Sequence, residues 1–286
     1  MQILEYLSPA AINHFIKEAL EEDIRDGDHS SLAAVPAHAT SKAQLIVKDD
    51  GIIAGLEMAK HIFAYYDNSL NLHFFKKDGE IVKKGDIGFS VEGSARSILS
   101  CERLVLNCLQ RMSGIASYTH DLRARVAGTK AQLLDTRKTT PNFRLAEKWA
   151  VTIGGGKNHR YGLFDMIMLK DNHIDFAGGI KKAILSTQEY LREKNKNLRI
   201  EIETRNLEEV KEVLATGGID VIMLDNMGIS DMTEAVNLVN GRYDTEASGG
   251  ITEDTISAVA HCGVDYISVG ALTHSARSLD ISLKAV

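Results

Sequence analysis

Hydrophobic positions change rhythm twice along this chain. In the first third, Ser8 followed by Pro9 marks a helix start, because the hydroxyl can cap free amides and proline suits a first helical position. A helix is predicted from about Pro9 to Glu22. Ala43, Leu45 and Val47 then alternate with polar neighbours, and Asp78-Gly79 and Lys84-Gly85 punctuate short strand-like runs through Phe89 and Val91. This pattern predicts a small α+β domain. From Ala95 to about Val126 the period becomes helical, with Ile98, Val105, Leu109 and Met112 on one face. Arg96, Ser100, Arg103, Asn107 and Arg111 form another stripe, of the kind that usually faces solvent.

After Lys130 short apolar runs alternate with helical segments. The runs are Ala131–Leu134, Met166–Leu169, Leu198–Ile202, Val221–Leu224, Thr245–Ala247 and Tyr266–Val269, and the helices include Ala177–Glu193, Leu207–Ala215 and Glu253–His261. Parallel strands need crossover helices, since a tight turn cannot join them. The fold class expected is α/β, a βα barrel beside a smaller N-terminal α+β sandwich domain. The boundaries expected are 1–110 for the first domain, completed by 275–286, and 111–274 for the barrel.

Composition narrows the partners. The 286 residues, 44% of them hydrophobic, suffice for a full core. A net charge of -6 argues against nucleic acid and anionic membranes as partners. The opening MQILEYLSPAAINHF lacks a basic segment followed by an apolar run, and no stretch approaches the roughly 18 to 20 apolar residues of a membrane span. A cytoplasmic protein is expected. Cys101, Cys108 and Cys262 form no CxxC pair and are expected to be buried structural thiols.

Candidate chemistry follows the apolar runs. Asp135-Thr136-Arg137-Lys138, Lys170-Asp171-Asn172-His173, Glu203, Asp225-Asn226, Ser248-Gly249-Gly250 and Gly270 each fall at the carboxyl end of a predicted strand. In a barrel those ends converge on one mouth, where catalytic groups are held. Between Arg137 and Arg160 six basic residues stand against one acid, Glu147, inside an acidic chain, which predicts an anion site. Arg137 and Arg160 suit bidentate recognition of carboxylate or phosphate, while Lys138 and Lys170 act as movable charges. Arg144 and Lys148 are expected to be helix surface. Glu203 and Asp225 suit sugar hydroxyls or a Mg²⁺ ion bound mainly to substrate phosphates, or else pair with Lys138 or Lys170. Ser248-Gly249-Gly250 and Gly270 stand where barrel enzymes cradle phosphate. Gly154-Gly155-Gly156 can bring His159 and Arg160 to a ligand.

The stretch DTRKTTPNFRLAEKWAVTIGGGKNHRYGLFDMIMLKDNHI, together with ERLVLNCLQRMSGIAS, IEIET, IMLDN, ASGGI and VGALTHS, resembles the quinolinate phosphoribosyltransferases. The resemblance covers nearly the whole chain. It implies an incomplete, roughly seven-stranded barrel and transfer of phosphoribose from phosphoribosyl pyrophosphate to quinolinate with decarboxylation. The products would be nicotinate mononucleotide, pyrophosphate and carbon dioxide, for NAD synthesis. It also implies that Arg103 reaches the quinolinate of a neighbouring subunit in a homodimer or larger homo-oligomer. Arg137, His159, Arg160 and Lys170 match the other quinolinate contacts. Lys138, Glu203, Asp225, Ser248, Gly249, Gly270 and His274 match positions around phosphoribosyl pyrophosphate. The family usually has threonine in place of Ser30, and PGLR where this chain has Pro141-Asn142-Phe143-Arg144. A related protein of molybdate-transport loci shares much of this pattern. Rival readings are a barrel lyase using Lys138 or Lys170 as a Schiff base, and a non-catalytic binder of phosphorylated ligands.

Overall fold

The computed structural model describes residues 5–286; Met1 to Leu4, on which the leader reading partly rests, lie outside them. The chain forms α1 (Pro9–Asp23), α2 (His29–Ala34), β1 (Thr40–Val47), β2 (Gly51–Ile52), α3 (Leu56–Tyr66), β3 (Asn71–Phe74), β4 (Ile81–Val82), β5 (Ile87–Ser94) and α4 (Ala95–Arg125). There follow β6 (Gln132–Leu134), α5 (Arg144–Ile153), β7 (Ile167–Leu169), α6 (Asp171–Ala177), α7 (Ile180–Glu193), β8 (Ile200–Thr204) and α8 (Leu207–Thr216). The last elements are β9 (Val221–Asp225), α9 (Ile229–Val239), β10 (Asp244–Ser248), α10 (Ile256–His261), β11 (Tyr266–Ser268), α11 (Ala271–His274) and β12 (Ile281–Ala285). They divide into two compact units. One takes in Met1–His120 as far as it is described, with Lys138–Gly155 and Ala271–Val286; the other takes in Asp121–Arg137 and Gly156–Gly270.

The first unit is built on an antiparallel sheet in the order β12-β1-β5-β3, so the C-terminal strand returns to pair with β1. Leu45 and Val47 are fully buried and Ala43 nearly so, as their alternation predicts for a strand with one face on the core. Ser8 caps α1 by accepting from Ala11 N at 3.3 Å, with Pro9 in the first turn. Asn142 takes φ +63°, a left-handed conformation that asparagine tolerates better than most residues, so the turn forms here without a glycine. Phe143 stacks against Phe15 at 5.5 Å between ring centroids.

Two surface expectations are overturned in this unit. Only Arg103 and Asn107 of the α4 polar stripe are exposed. Arg96 instead donates to the carbonyls of Val35 and Leu32, buried Ser100 donates to Asp28, and Arg111 enters a buried ion pair. The helical period identified the stripe but not the α2, α5 and C-terminal segments that pack over it. Lys148 is fully buried rather than helix surface. All three cysteines are buried, and burial pushes the thiols of Cys101 and Cys108 up to about 12, consistent with inert core residues.

The second unit holds six parallel strands in the order β6-β11-β10-β9-β8-β7. Of the roughly seven strands expected, the remaining one is reduced to Lys157. It makes a single parallel bridge to Leu134, donating to Leu133 O at 2.8 Å and accepting from Asp135 N at 3.2 Å. The helix expected over Ala177–Glu193 is broken, because Gly178 and Gly179 take φ +83° and +117° and end α6 before α7 begins. β8 starts two residues later than the apolar run suggested, at Ile200, and runs to Thr204. Among the described residues no helix is long and apolar enough to cross a membrane.

Candidate active site

The parallel register of the second unit carries the polar strand ends to one rim. Glu203 pairs with Met223 and Thr204 with Leu224, and one strand over Ser248 pairs with Asp225, so these acids and the serine occupy adjacent strand ends. Lys170 directly follows β7 and is the N-cap of α6. Its Nζ lies 2.8 Å from Glu203 Oε1, and Glu203 Oε2 accepts from Asp171 N at 3.1 Å. The lysine pairing considered for the acids is therefore realised at Glu203. Asp225 accepts from Asn226 Nδ2 at 2.7 Å, while burial raises its pKa, helped by nearby Glu203.

Cations occupy the same rim. Burial, then the neighbouring Arg137, hold the Arg160 guanidinium below its ordinary value, while Glu201, Asp165 and Glu203 oppose the shift. Arg160 Nη1 also donates to Met166 O at 3.3 Å. Two guanidiniums close enough to disfavour each other make a strong site for an anion with more than one charge, which relieves the repulsion. The arginines and the Glu203–Asp225 acids thus belong to one electrostatic neighbourhood.

The glycine segments are shaped by close approach. Asn226 sits at φ +54° and donates its N–H to Ser248 O at 2.9 Å. Gly249 takes φ +94°, and a Cβ there would stand 2.9 Å from Asn226 N. Gly250 also has positive φ, at +60°, leaving backbone rather than side chain presented at this strand end. Gly270 lies two residues beyond β11.

Below the rim lies a cluster that was not anticipated. The His159 side chain is only 6% exposed, and its Nε2 lies 2.8 Å from Glu201 Oε2 and 3.5 Å from Glu246 Oε2. His159 Nδ1 accepts from Arg160 N at 2.7 Å, which leaves Nε2 as the donor to Glu201. The ring, expected to contact the ligand, makes these bonds inside the protein and ties the backbone of Arg160 to Glu201. Fully buried Asp135 completes the arrangement, accepting from His159 N at 2.9 Å and Asn158 Nδ2 at 2.6 Å. Burial pushes Glu201 up to about 7 and, with the charge of Glu201 beside it, Glu246 up to about 8; Glu246 also accepts from Ser268 Oγ. The ligand atoms of His159, Glu201 and Glu246 lie within 4.8 Å of one another. A metal is still a poor fit, because two ligands on one zinc stand about 3.3 Å apart while His159 and Glu201 are in direct hydrogen-bond contact. Strand parity could have revealed the cluster, since Glu201 and Glu246 lie two residues before Glu203 and Ser248 and so share their faces.

The remaining expected site residues belong to the first unit. Lys138 directly follows Arg137 in the chain and is exposed, and its carbonyl accepts from Thr273 Oγ1 at 2.9 Å. His274 is exposed at the end of α11, with Nδ1 2.6 Å from Ser275 Oγ. Arg103 lines an exposed cavity of about 350 Å³ with Asp23, Gly27, Asp28, His29 and Ser100.

Parallel strand ends carrying arginines, a lysine, paired acids and glycine turns define an enzyme of the βα-barrel class that handles an anionic substrate. Comparison with known proteins then fixes the family. Residues 28–113 match the model of the quinolinate phosphoribosyl transferase N-terminal domain and residues 115–284 that of the C-terminal domain. A Nicotiana tabacum protein named quinolinate phosphoribosyltransferase [decarboxylating] 2b, mitochondrial, is 47% identical over 99% of this chain and 86% of its own. The Arabidopsis thaliana chloroplastic nicotinate-nucleotide pyrophosphorylase [carboxylating] is 49% identical over 94% of this chain and 81% of its own. A crystal structure of NadC from Streptococcus pyogenes superposes with TM-score 0.91 at 41% identity, covering 98% of this chain and 99% of the other. The chain belongs to the quinolinate phosphoribosyltransferase family.

Proposed function

We propose that this protein transfers phosphoribose from phosphoribosyl pyrophosphate to quinolinate and decarboxylates the product, yielding nicotinate mononucleotide for NAD synthesis. The observation that carries this reading is the shared neighbourhood of Arg137 and Arg160 with Lys170, Glu203 and Asp225. Two arginines match the two carboxylates of a pyridine dicarboxylate, and the acids suit a ribose on which positive charge develops.

The quinolinate ring nitrogen attacks the anomeric carbon as the bond to pyrophosphate breaks and its electron pair leaves with pyrophosphate. Glu203 and Asp225 stabilise the cationic ribose electrostatically, and Lys138 neutralises the departing group. The new pyridinium then draws in the electrons of the adjacent carbon–carboxylate bond, carbon dioxide leaves, and the ring carbon takes up a proton. Arg137, Arg160 and Lys170 hold the dicarboxylate through both steps. Ser248, Gly249, Gly250, Gly270 and His274 receive the phosphoribosyl pyrophosphate. Mg²⁺ is part of the proposal: the acids offer oxygen donors of the kind it takes, with Glu203 already shared with Lys170, so Asp225 and the substrate phosphates would hold it. Bound there, it would add positive charge beside the pyrophosphate.

Exposed Arg103 serves the quinolinate of a second subunit in a homodimer or larger homo-oligomer. Residence in the cytoplasm belongs to the same proposal. The test is turnover of purified protein with quinolinate, phosphoribosyl pyrophosphate and Mg²⁺, with nicotinate as control acceptor. Release of carbon dioxide and nicotinate mononucleotide from quinolinate is expected. No release, or equal turnover of nicotinate, would overturn the reading.

A further inference from the structure

Arg111 of α4 and Glu147 of α5 form an ion pair inside the first unit, with Nη2 and Nε of the arginine 2.9 and 3.0 Å from Glu147 Oε1. Glu147 is fully buried and the Arg111 side chain is 23% exposed. Such a pair is weak evidence for stability, because desolvation offsets most of its attraction. What it holds is more informative. Glu147 accepts from Thr140 N at 2.9 Å and from Thr140 Oγ1 at 3.0 Å. Arg111 Nη1 donates to Ala276 O at 2.7 Å, and Nη2 donates to Thr273 O. Fully buried Thr273 in turn donates its hydroxyl to Lys138 O.

One buried pair therefore pins two stretches of backbone, the loop Lys138 to Thr140 and the end of α11 with the residues after it, Thr273 to Ala276. Arg144 adds a third hold on the first stretch, donating from Nε to Thr139 Oγ1 at 2.9 Å. One turn beyond Arg111, Gly114 lets the chain that follows the second stretch lie on the helix, since a Cβ there would stand 2.9 Å from Ser278 Cα. These two stretches carry Lys138 and His274.

We propose that Arg111, Glu147 and Thr273 are positioning residues that hold Lys138 and His274 ready for the pyrophosphate-bearing substrate. This rests on the reading of Lys138 given under the proposed function. The three residues touch no reacting atom; they remove the freedom of the backbone that presents the cation, so that substrate binding does not have to order it.

The test uses the full-length enzyme with Thr273→Val, Thr273→Ser, Glu147→Gln and Lys138→Ala. Thr273→Val keeps the side-chain shape and deletes the donor to Lys138 O. It is expected to lower kcat/KM for phosphoribosyl pyrophosphate at least about tenfold, with KM for quinolinate within about twofold of wild type. Thr273→Ser, which retains the hydroxyl, should recover most of the loss, and Glu147→Gln should follow Thr273→Val. A purely structural role would weaken both substrates alike. The proposal falls if folded Thr273→Val has unchanged kinetics, if it loses both substrates equally, or if the serine variant is as impaired as the valine. Should Lys138→Ala leave phosphoribosyl pyrophosphate kinetics unchanged while Thr273→Val impairs them, the assignment of Lys138 fails and this role for the network fails with it.

Discussion

Glu246→Gln should flatten the pH dependence of folding stability. Burial lifts the Glu246 carboxyl from 4.5 to about 8, so the folded chain holds a proton there that the unfolded chain has released. Stability from such a group is fully present below the unfolded value and is lost as pH rises towards the folded one. Each pH unit inside that window removes about 1.4 kcal/mol for one group. From about pH 5 to about pH 7 the wild-type protein should therefore lose on the order of 2 kcal/mol through Glu246. Glutamine keeps the size and carries no titrating proton, so the variant should lose less over the same range. Glu201, pushed up to about 7 by burial, contributes a slope of the same sign, and because the two carboxyls act on each other the comparison sets the slope of the pair against that of Glu201 alone. Urea unfolding at pH 5, 6, 7 and 8 reads the two slopes directly. Parallel pH profiles for wild type and Glu246→Gln, differing by less than about 0.5 kcal/mol across the range, would refute a protonated Glu246.

Arg137→Ala and Arg160→Ala should each cost at least about 2 kcal/mol of transition-state stabilisation, seen as a roughly 30-fold fall in kcat/KM for quinolinate; unchanged kinetics in either would remove that arginine from the site. Mixing inactive Arg103→Ala and Lys170→Ala protomers should restore activity through one intact composite site, and no recovery in verified mixed oligomers would deny that subunits share sites. Gly249→Ala forces a side chain into a position with φ +94° and against Asn226, so a stability loss of about 1 to 3 kcal/mol and weaker phosphoribosyl pyrophosphate binding are expected. Thermal melting and steady-state kinetics indistinguishable from wild type would show that the turn tolerates the change.

Legibility in the sequence tracked how local the physics was. The strand ends at Lys170, Glu203, Asp225 and Ser248 could be read because a polar residue stops an apolar run at a place where a barrel opens. Ser8, Pro9 and the alternation of Ala43, Leu45 and Val47 report their own conformations in the same way. Glu147 could not be read, because its partner lies 36 residues earlier on a stripe that periodicity alone assigns to solvent. Glu201 and Glu246 were hidden inside apolar runs, where a single acid does not disturb the strand pattern. Lys157 bonds to the sheet through one residue, too little for any periodicity to register.

The buried acids and the rim cations are parts of one arrangement. An arginine that grips a dicarboxylate helps catalysis only if it is already in place, since ordering it on binding would consume part of the interaction. In the second unit that order comes from beneath: Glu246 lies 3.5 Å from His159 Nε2, Glu201 accepts from His159, and His159 accepts the backbone N–H of Arg160. Asp135 fixes the same turn through His159 N and Asn158. Two ionised carboxylates in such a confined interior would repel each other and lose hydration, so Glu201 and Glu246 both hold their protons to higher pH than an exposed glutamate does. Protons retained by these acids thus let an acidic floor support a cationic rim.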